Sequence, residues 1–486
     1  MAKREKIPRQ HMRMQDPDVR VHNFDWVNLG YSPQEAAIEA SRCIQCKKPT
    51  CIAGCPAEIN IPKFILAVKE GDMEEAFREL KKTNSMPAIC GRVCPQEIQC
   101  EKVCILGVKQ EPVAIGALEY YVGDWAIERG LHLTDEFTPV ITPDKEKVAI
   151  VGSGPGGLTA AVDLSKMGYD VTIFEALHAP GGVLNYGIPP FRLPRKTINA
   201  EIAAIQRMGV KIQLNTVVGK TVTLEQLRQR GFKAFLLATG AGLPLFMGIP
   251  GENACGVYSA NEYLTRIILM GAWDFPNNDT PVFAGKKVVV VGAGNTAMDA
   301  MRSSRRLPWV EEVWCVYRRS RQEAPARIEE LEHAEQEGVN FQFLTLPLQI
   351  LMTEDHWVRG LRCQRMELGE PDEKGRRKPV PIEGSEFEIE CDTVVYAIGQ
   401  RPNPVMMRSI PGLEITKWGT VAVDDELKTN IEGVFAAGDI ISGASTVIMA
   451  VGQGKRAARS IDRYLSGVRS GNPTWEPVYA EAVAVT

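Results

Sequence analysis

The stretch KVAIVGSGPGGLTAAVDLSKMGYDVTIFEA, residues 147–176, decides the fold. A short β-branched run leads into Gly152, Gly154 and Gly157, then an amphipathic helix pattern, then a second apolar run that ends at Glu175. Strand, glycine-rich turn, helix and strand make one βαβ unit. The first glycine permits the tight turn, the second lets a pyrophosphate approach backbone N–H groups, and the third lets helix and strand pack closely. Glu175 lies about 20 residues beyond the turn, where an acid accepts hydrogen bonds from ribose hydroxyls.

The same design recurs downstream in KKVVVVGAGNTAMDAMRSSRRLPWVEEVWCVYRR, residues 286–319. Its fingerprint is Gly292, Gly294, Asn295, Thr296 and Ala297, with alanine as the third small residue. Its second strand ends in Arg318, Arg319, Ser320 and Arg321 rather than in an acid. A carboxylate would repel a 2′-phosphate and arginines would hold it by charge-assisted bonds, so NADP(H) is expected over NAD(H). The bland alternative is a solvated basic loop. Between the units lie a Gly/Pro-rich loop, PGGVLNYGIPPFRLP at 180–194, and a sharply ended strand, FLLATGAG at 235–242. After the second unit come VVYAIGQRPN (394–403), GVFAAGDI (433–440) and the helix pattern TVIMAVGQGKRAARSIDRYL. This order predicts an α/β protein with two interleaved Rossmann-like domains. The first spans 146–282 and 388–470, and the second, 283–387, is inserted into it.

Upstream the period is helical as far as Leu133, as in PQEAAIEASR (33–42), and the polar, proline-containing segment 131–146 reads as a linker. An all-α domain over 1–142 is expected. It holds eight of the twelve cysteines. The first run is Cys43-x2-Cys46-x4-Cys51-x3-Cys55-Pro, and the second is Cys90-x3-Cys94-Pro-x4-Cys100-x3-Cys104. Bacterial ferredoxin spacing also ends in x3-Cys-Pro, with the last cysteine serving the other cluster of a pair. Two [4Fe-4S] clusters need eight ligands, and this block supplies eight cysteines. Paired zinc sites, a disulfide framework and a thioredoxin-like Cys43/Cys46 pair are weaker alternatives. Cys255, Cys315, Cys363 and Cys391 stand singly and are expected as buried packing.

The 486 residues suit about three domains. Fifty-six basic against 60 acidic side chains, a net charge of −4, give no footprint for nucleic acid or anionic membrane. No apolar run is long enough to span a bilayer and the amino terminus lacks a secretory h-region, so a cytoplasmic protein is expected. Six histidines, none in a metal or triad spacing, leave no catalytic side chain to name, in keeping with chemistry carried by cofactors.

Two interleaved dinucleotide folds with ATG at 238–240 and a late Gly438–Asp439 pair resemble the two-dinucleotide-binding flavoproteins. The resemblance implies FAD in the first fold, with Gly152, Gly154, Gly157, Glu175, Gly182, Thr239, Gly240, Gly438, Asp439 and Thr446 as candidate contacts, and NAD(P)H in the second. With the cysteine block added, the whole chain is similar to the glutamate synthase small (β) subunit family. That family's relatives include the amino-terminal part of dihydropyrimidine dehydrogenase and the large subunit of NADH-dependent reduced ferredoxin:NADP oxidoreductase. GYSPQEAAIEASRCIQCKKPTC, AICGRVCPQEIQCEKVC, EPVAIGALE, FEALHAPGGVLNYGIPPFRLP and LGEPDEKGRRKPVP look most like the last. The resemblance implies one cluster on Cys43, Cys46, Cys51 and Cys104, and another on Cys55, Cys94, Cys100 and Glu119 of the IGALE segment. Spacing alone would choose Cys90 over Glu119, so nine candidates compete for eight places.

The activity implied is electron transfer between NADPH, FAD and two clusters to a partner. That partner is a glutamate synthase large subunit or, alternatively, a small FAD- and ferredoxin-type subunit. The chain offers no FMN barrel, and Ala2 stands where an amino-terminal cysteine nucleophile would be needed. A non-catalytic iron-sulfur scaffold is the reading from another class, and it would require degenerate nucleotide loops.

Overall fold

The computed structural model describes residues 6–371, 375, 377–471 and 475. Ala2 and part of the LGEPDEKGRRKPVP stretch, residues 372–374 and 376, lie outside them. The first βαβ unit forms as strand Lys147–Val151, helix Pro155–Lys166 and strand Asp170–Phe174. Val148 to Val151 are buried, as a parallel sheet covered on both faces requires. The sheet runs in the order Val434–Ala436, Phe232–Leu237, Lys147–Val151, Asp170–Phe174, Lys211–Gln213, all parallel. Its outermost strand, Val434–Ala436, arrives only after the chain has built the second domain.

The second sheet, also all parallel, runs Asn340–Gln342, Glu312–Val316, Lys287–Val291, Thr393–Tyr396, Val257–Ser259. Two of its strands fall outside 283–387: Val257–Ser259 precedes that span and Thr393–Tyr396 follows it. By strand pairing the inserted domain is therefore wider than the sequence reading made it. Apolar alternation identifies a run as a strand but does not say which sheet edge it will hydrogen-bond. A three-stranded antiparallel sheet, Thr345–Met352, Val358–Pro371 and Arg377–Glu390, extends this domain outward.

The amino-terminal part is built from helices Pro33–Arg42, Ile61–Glu70, Met73–Thr83, Pro87–Val93 and Ile115–Glu128. Several starts are legible. Ser32 and Glu35 cap the first reciprocally, Asp72 caps the third, and Pro87 opens the fourth with a residue that has no N–H to satisfy. A short strand pair, Arg13–Met14 with Asn28–Gly30, precedes the helices and is too brief to carry a period.

Buried charges bind the inserted domain to its neighbours. Arg192 leaves the 180–194 loop with Nη1 2.8 Å from both oxygens of Asp299 and Nε 3.0 Å from Glu330. Arg302 bonds Glu330 and Glu337, and Arg306 and Arg20 converge on Glu337 at 2.7 and 2.8 Å. The Phe191 ring lies under the guanidiniums of Arg302 and Arg306. Arg327 reaches Glu97, the Arg92 carbonyl and Gln96 in the helical domain. Burial opposes ionisation here, yet Arg192 and Arg302 hold Glu330 down at about 2, and Arg302 and Arg306 hold Glu337 well below the usual carboxylate range.

Candidate cofactor sites

Cys43 stands just past helix Pro33–Arg42, Cys51 in the single turn Thr50–Ala53, and Cys104 just before the turn Ile105–Val108. With Cys46 they wall one cavity, whose floor is Ile61, Ile65, Val113 and Ile115. Thr50 Oγ1 donates to the Val103 carbonyl, tying the two cysteine-bearing segments together. Burial, then the neighbouring Cys104, Cys43 and Cys46, push the Cys51 thiol up to about 12. Four cysteines lining one cavity are the donor set that a cationic iron-sulfur core would hold as thiolates.

Cys55, Cys94 and Cys100 form a second, buried group with Cys90 and with Glu119 from helix Ile115–Glu128. Hydrogen bonding to Cys90, burial and the charges of Glu119 and Cys55 push Cys94 far up. Glu119 accepts a hydrogen bond from Asn84 Nδ2 at 2.7 Å and has no ion pair among the described residues. Burial pushes it up to about 8. A buried carboxyl with only an amide partner, set among cysteines, suits a ligand position. Cys90 Sγ instead lies 3.6 Å from Asn84 Oδ1, as its donor. Both rivals for the last place thus sit in this group, joined through Asn84.

In the first nucleotide fold, Gly154 precedes helix Pro155–Lys166 and Glu175 follows strand Asp170–Phe174. Glu175 accepts from the Ser153 N–H at 2.9 Å, from Ser153 Oγ and from the Leu177 N–H at 2.9 Å. Ser153 Oγ in turn accepts from the Gly181 N–H at 3.0 Å, which draws the 180–182 loop over the fingerprint. Gly182 has φ 56°, and a Cβ there would lie 2.9 Å from Gly154 Cα. Only glycine leaves the groove between the two loops open.

Thr239 and Gly240 leave strand Phe232–Leu237 beside the Gly152 turn. Across the fold, the Gly438 N–H donates to Gln453 at 2.6 Å, and Thr446 caps the long helix Val447–Arg469. Asp439 lies between them, and burial pushes it up to about 6. Gly157 is buried in the helix that packs on Val447–Arg469. Pro56, next to Cys55, presses on that same long helix: a Cβ at Gly452 would lie 2.7 Å from the Pro56 carbonyl oxygen. The second cysteine group therefore abuts the first nucleotide fold.

In the second fold Gly292 turns beneath the Ala397 carbonyl as Gly152 turns beneath that of Ala238. Gly294 precedes helix Asn295–Arg305, Asn295 Oδ1 accepts from the Arg327 N–H at 3.0 Å, Thr296 follows it, and Ala297 is fully buried. Arg321 is committed to Glu335 through two bonds, and Arg319 donates to the Arg377 carbonyl. Arg318 is exposed and in no ion pair among the described residues.

Sequence reading missed Ser153, Asn84 and Gly452. The first two act through side-chain bonds to distant partners, and the third only matters once Pro56 is beside it. Cys315, Cys363 and Cys391 are buried as expected, but Cys255, in an isolated bridge with Trp357, is exposed. None of the described cysteines forms a disulfide, and no described helix is long and apolar enough to cross a membrane.

Residues 20–131 match the dihydropyrimidine dehydrogenase domain II, 4Fe-4S cluster family, and residues 146–454 match the pyridine nucleotide-disulphide oxidoreductase family. The chain is 36% identical over 478 residues to the glutamate synthase [NADPH] small chain of Azospirillum brasilense, covering 96% of this chain and 97% of that one. It is 43% identical over 438 residues to the NADP(+)-dependent formate dehydrogenase subunit beta of Moorella thermoacetica, which covers 85% of this chain but only 60% of that subunit. The structure of Mycobacterium tuberculosis FprA in complex with NADPH superposes with TM-score 0.57 at 22% identity, over 70% of this chain and 89% of FprA, and shares the two-domain nucleotide fold. The chain belongs to the pyridine nucleotide-disulphide oxidoreductases and, within them, to the glutamate synthase small-subunit family: it is an oxidoreductase of pyridine nucleotide, FAD and 4Fe-4S iron-sulfur centres.

Proposed function

We propose that the chain is the electron-input subunit of a glutamate synthase-type assembly, working in the cytoplasm between NADPH and a large partner subunit that makes glutamate from glutamine and 2-oxoglutarate. The observation that carries this reading is the spatial order of the two cysteine groups. One is buried against the first nucleotide fold at Pro56 and Gly452, and the other opens at the surface through half-exposed Cys43, Cys46, Cys51 and Cys104. Such an order suits a relay of two [4Fe-4S] clusters from an internal flavin to an external acceptor. When bound, FAD supplies the conversion between a two-electron hydride donor and one-electron centres.

The chain's own residues do the rest. Gly154 and Gly182 keep a groove open to the pyrophosphate, Gly152 and Gly157 allow the turn and the helix packing beneath it, and Glu175 offers its remaining lone pairs to the ribose. Thr239, Gly240, Gly438, Asp439 and Thr446 border the flavin side. Gly292, Gly294, Asn295, Thr296 and Ala297 receive the nicotinamide nucleotide, and Arg318 and Arg319 select its 2′-phosphate, with Arg321 held to one side by Glu335.

Anaerobic titration of the purified protein with NADPH tests the reading. Flavin absorbance should bleach and reduced-cluster paramagnetic signals should follow; flavin that stays oxidised overturns it. Native purification then reads the partner. A large FMN-bearing subunit supports glutamate synthesis, whereas a small FAD-bearing subunit assigns the chain to ferredoxin coupling instead.

A further inference from the structure

The mouth of the first cysteine site has a surface that the proposed function does not yet use. Ile44, Val103, Ile105 and Val108 are 39, 40, 43 and 81% exposed on the two segments that wall the cavity. Apolar groups clustered at an opening mark an interaction site more often than bare solvent surface. The same segments, 43–51 and 98–109, carry Lys47, Lys48, Lys102 and Lys109, all exposed and none paired with an acid among the described residues. Their one acid, Glu101, is buried and bonded to Arg9 at 2.8 Å. A chain of net charge −4 thus presents a cationic, apolar-centred mouth over one of its two candidate clusters.

We propose that this mouth is the docking surface for an acidic redox protein, one whose own centre is ringed by Asp and Glu side chains. The proposal rests on the electron-input reading and names the chemistry of the partner it requires. The apolar residues exclude water from the contact, and the lysines steer an oppositely charged face into register, which raises association rates and makes them fall with salt. A basic partner would meet the four exposed lysines of these segments, against which stand only half-buried Glu97 and exposed Glu111 at their flanks.

The test uses the holoprotein reduced by NADPH, with oxidised rubredoxin as the acidic probe and cytochrome c as the basic one. Each NADPH oxidised to NADP+ releases one proton and two electrons, so two probe irons are reduced per NADPH. At low ionic strength rubredoxin should be reduced about tenfold or more faster than by a variant with Lys47, Lys48, Lys102 and Lys109 all changed to Glu, and added salt should erase the difference. The same variant should reduce cytochrome c faster than the unsubstituted protein does. Binding of zinc-substituted rubredoxin, measured by calorimetry, should weaken in parallel, and a milder variant with Gln at the same four positions should fall between. Iron content and flavin reduction by NADPH should stay unchanged in both variants. Rubredoxin reduction and binding that ignore charge and salt, in variants whose flavin is reduced normally, overturn the docking surface and leave the proposed function intact. Flavin that NADPH does not reduce even in the unsubstituted protein overturns that function and the docking surface with it.

Discussion

Asn84 joins the two rival ligands of the buried cysteine group, bonding Glu119 through Nδ2 and facing Cys90 through Oδ1. Both touch that amide, but Glu119 is a buried carboxyl with no ion pair among the described residues, the group that a cationic cluster would best relieve. The expected outcome follows: Cys90→Ser retains both clusters, and Glu119→Ala loses one, read as a fall of roughly half in iron content and the loss of one paramagnetic signal. The reverse result would restore the eight-cysteine scheme that spacing favours. A second residue-scale prediction concerns nucleotide choice. Each charge-assisted bond from Arg318 or Arg319 to a 2′-phosphate is worth about 1.5–3 kcal/mol, so replacing both with Ala should raise KM for NADPH by at least about tenfold. KM for NADH should barely move; equal changes for the two nucleotides would rule out the 2′-phosphate role.

The helix Val447–Arg469 does two jobs. Its capped start borders the Gly438–Asp439 turn, and its second turn receives the Cys55–Pro56 segment at Gly452. A valine there would wedge the two elements apart, since overpacking a tight contact costs about 1–3 kcal/mol unless the backbone shifts. Gly452→Val should leave reduction of the flavin by NADPH at its normal rate and slow the reduction of the clusters several-fold, because tunnelling rates fall steeply with distance. Stopped-flow absorbance resolves the two phases, and equal slowing of both would assign Gly452 to general packing. Periodicity identified this helix and the helix Pro155–Lys166 beneath it, but the glycine contact between helix and cysteine loop joins positions almost 400 residues apart. No local pattern encodes such a meeting.

Across the whole molecule the buried arginine–glutamate cluster fixes the inserted domain against the first nucleotide fold and the helical domain. Removing one partner strands the others, so Glu337→Gln should destabilise the protein by about 3–5 kcal/mol in thermal or denaturant unfolding. The pH dependence has a definite sign. Glu330 is held at about 2 against an ordinary value of 4.5, so its stabilising share is complete above about pH 4.5 and is lost as pH falls through 2. Glu337, lower still, acts in the same direction. Acid unfolding should therefore begin below about pH 4.5, and Glu337→Gln should flatten that part of the stability profile.

The sequence by itself determined the kinds of parts: two glycine-turn βαβ units, a basic strand end in one and an acidic end in the other, and cysteine runs at iron-sulfur spacing. These are local signals, because turn geometry, helix period and ligand spacing act over a few residues. Tertiary structure alone decided which sheet received Val257–Ser259 and Thr393–Tyr396, how nine candidate ligands divided into a half-exposed and a buried group, and which of those abuts the first nucleotide fold. Those outcomes depend on strand pairing, burial and close contact between distant segments, which the chain settles only by folding.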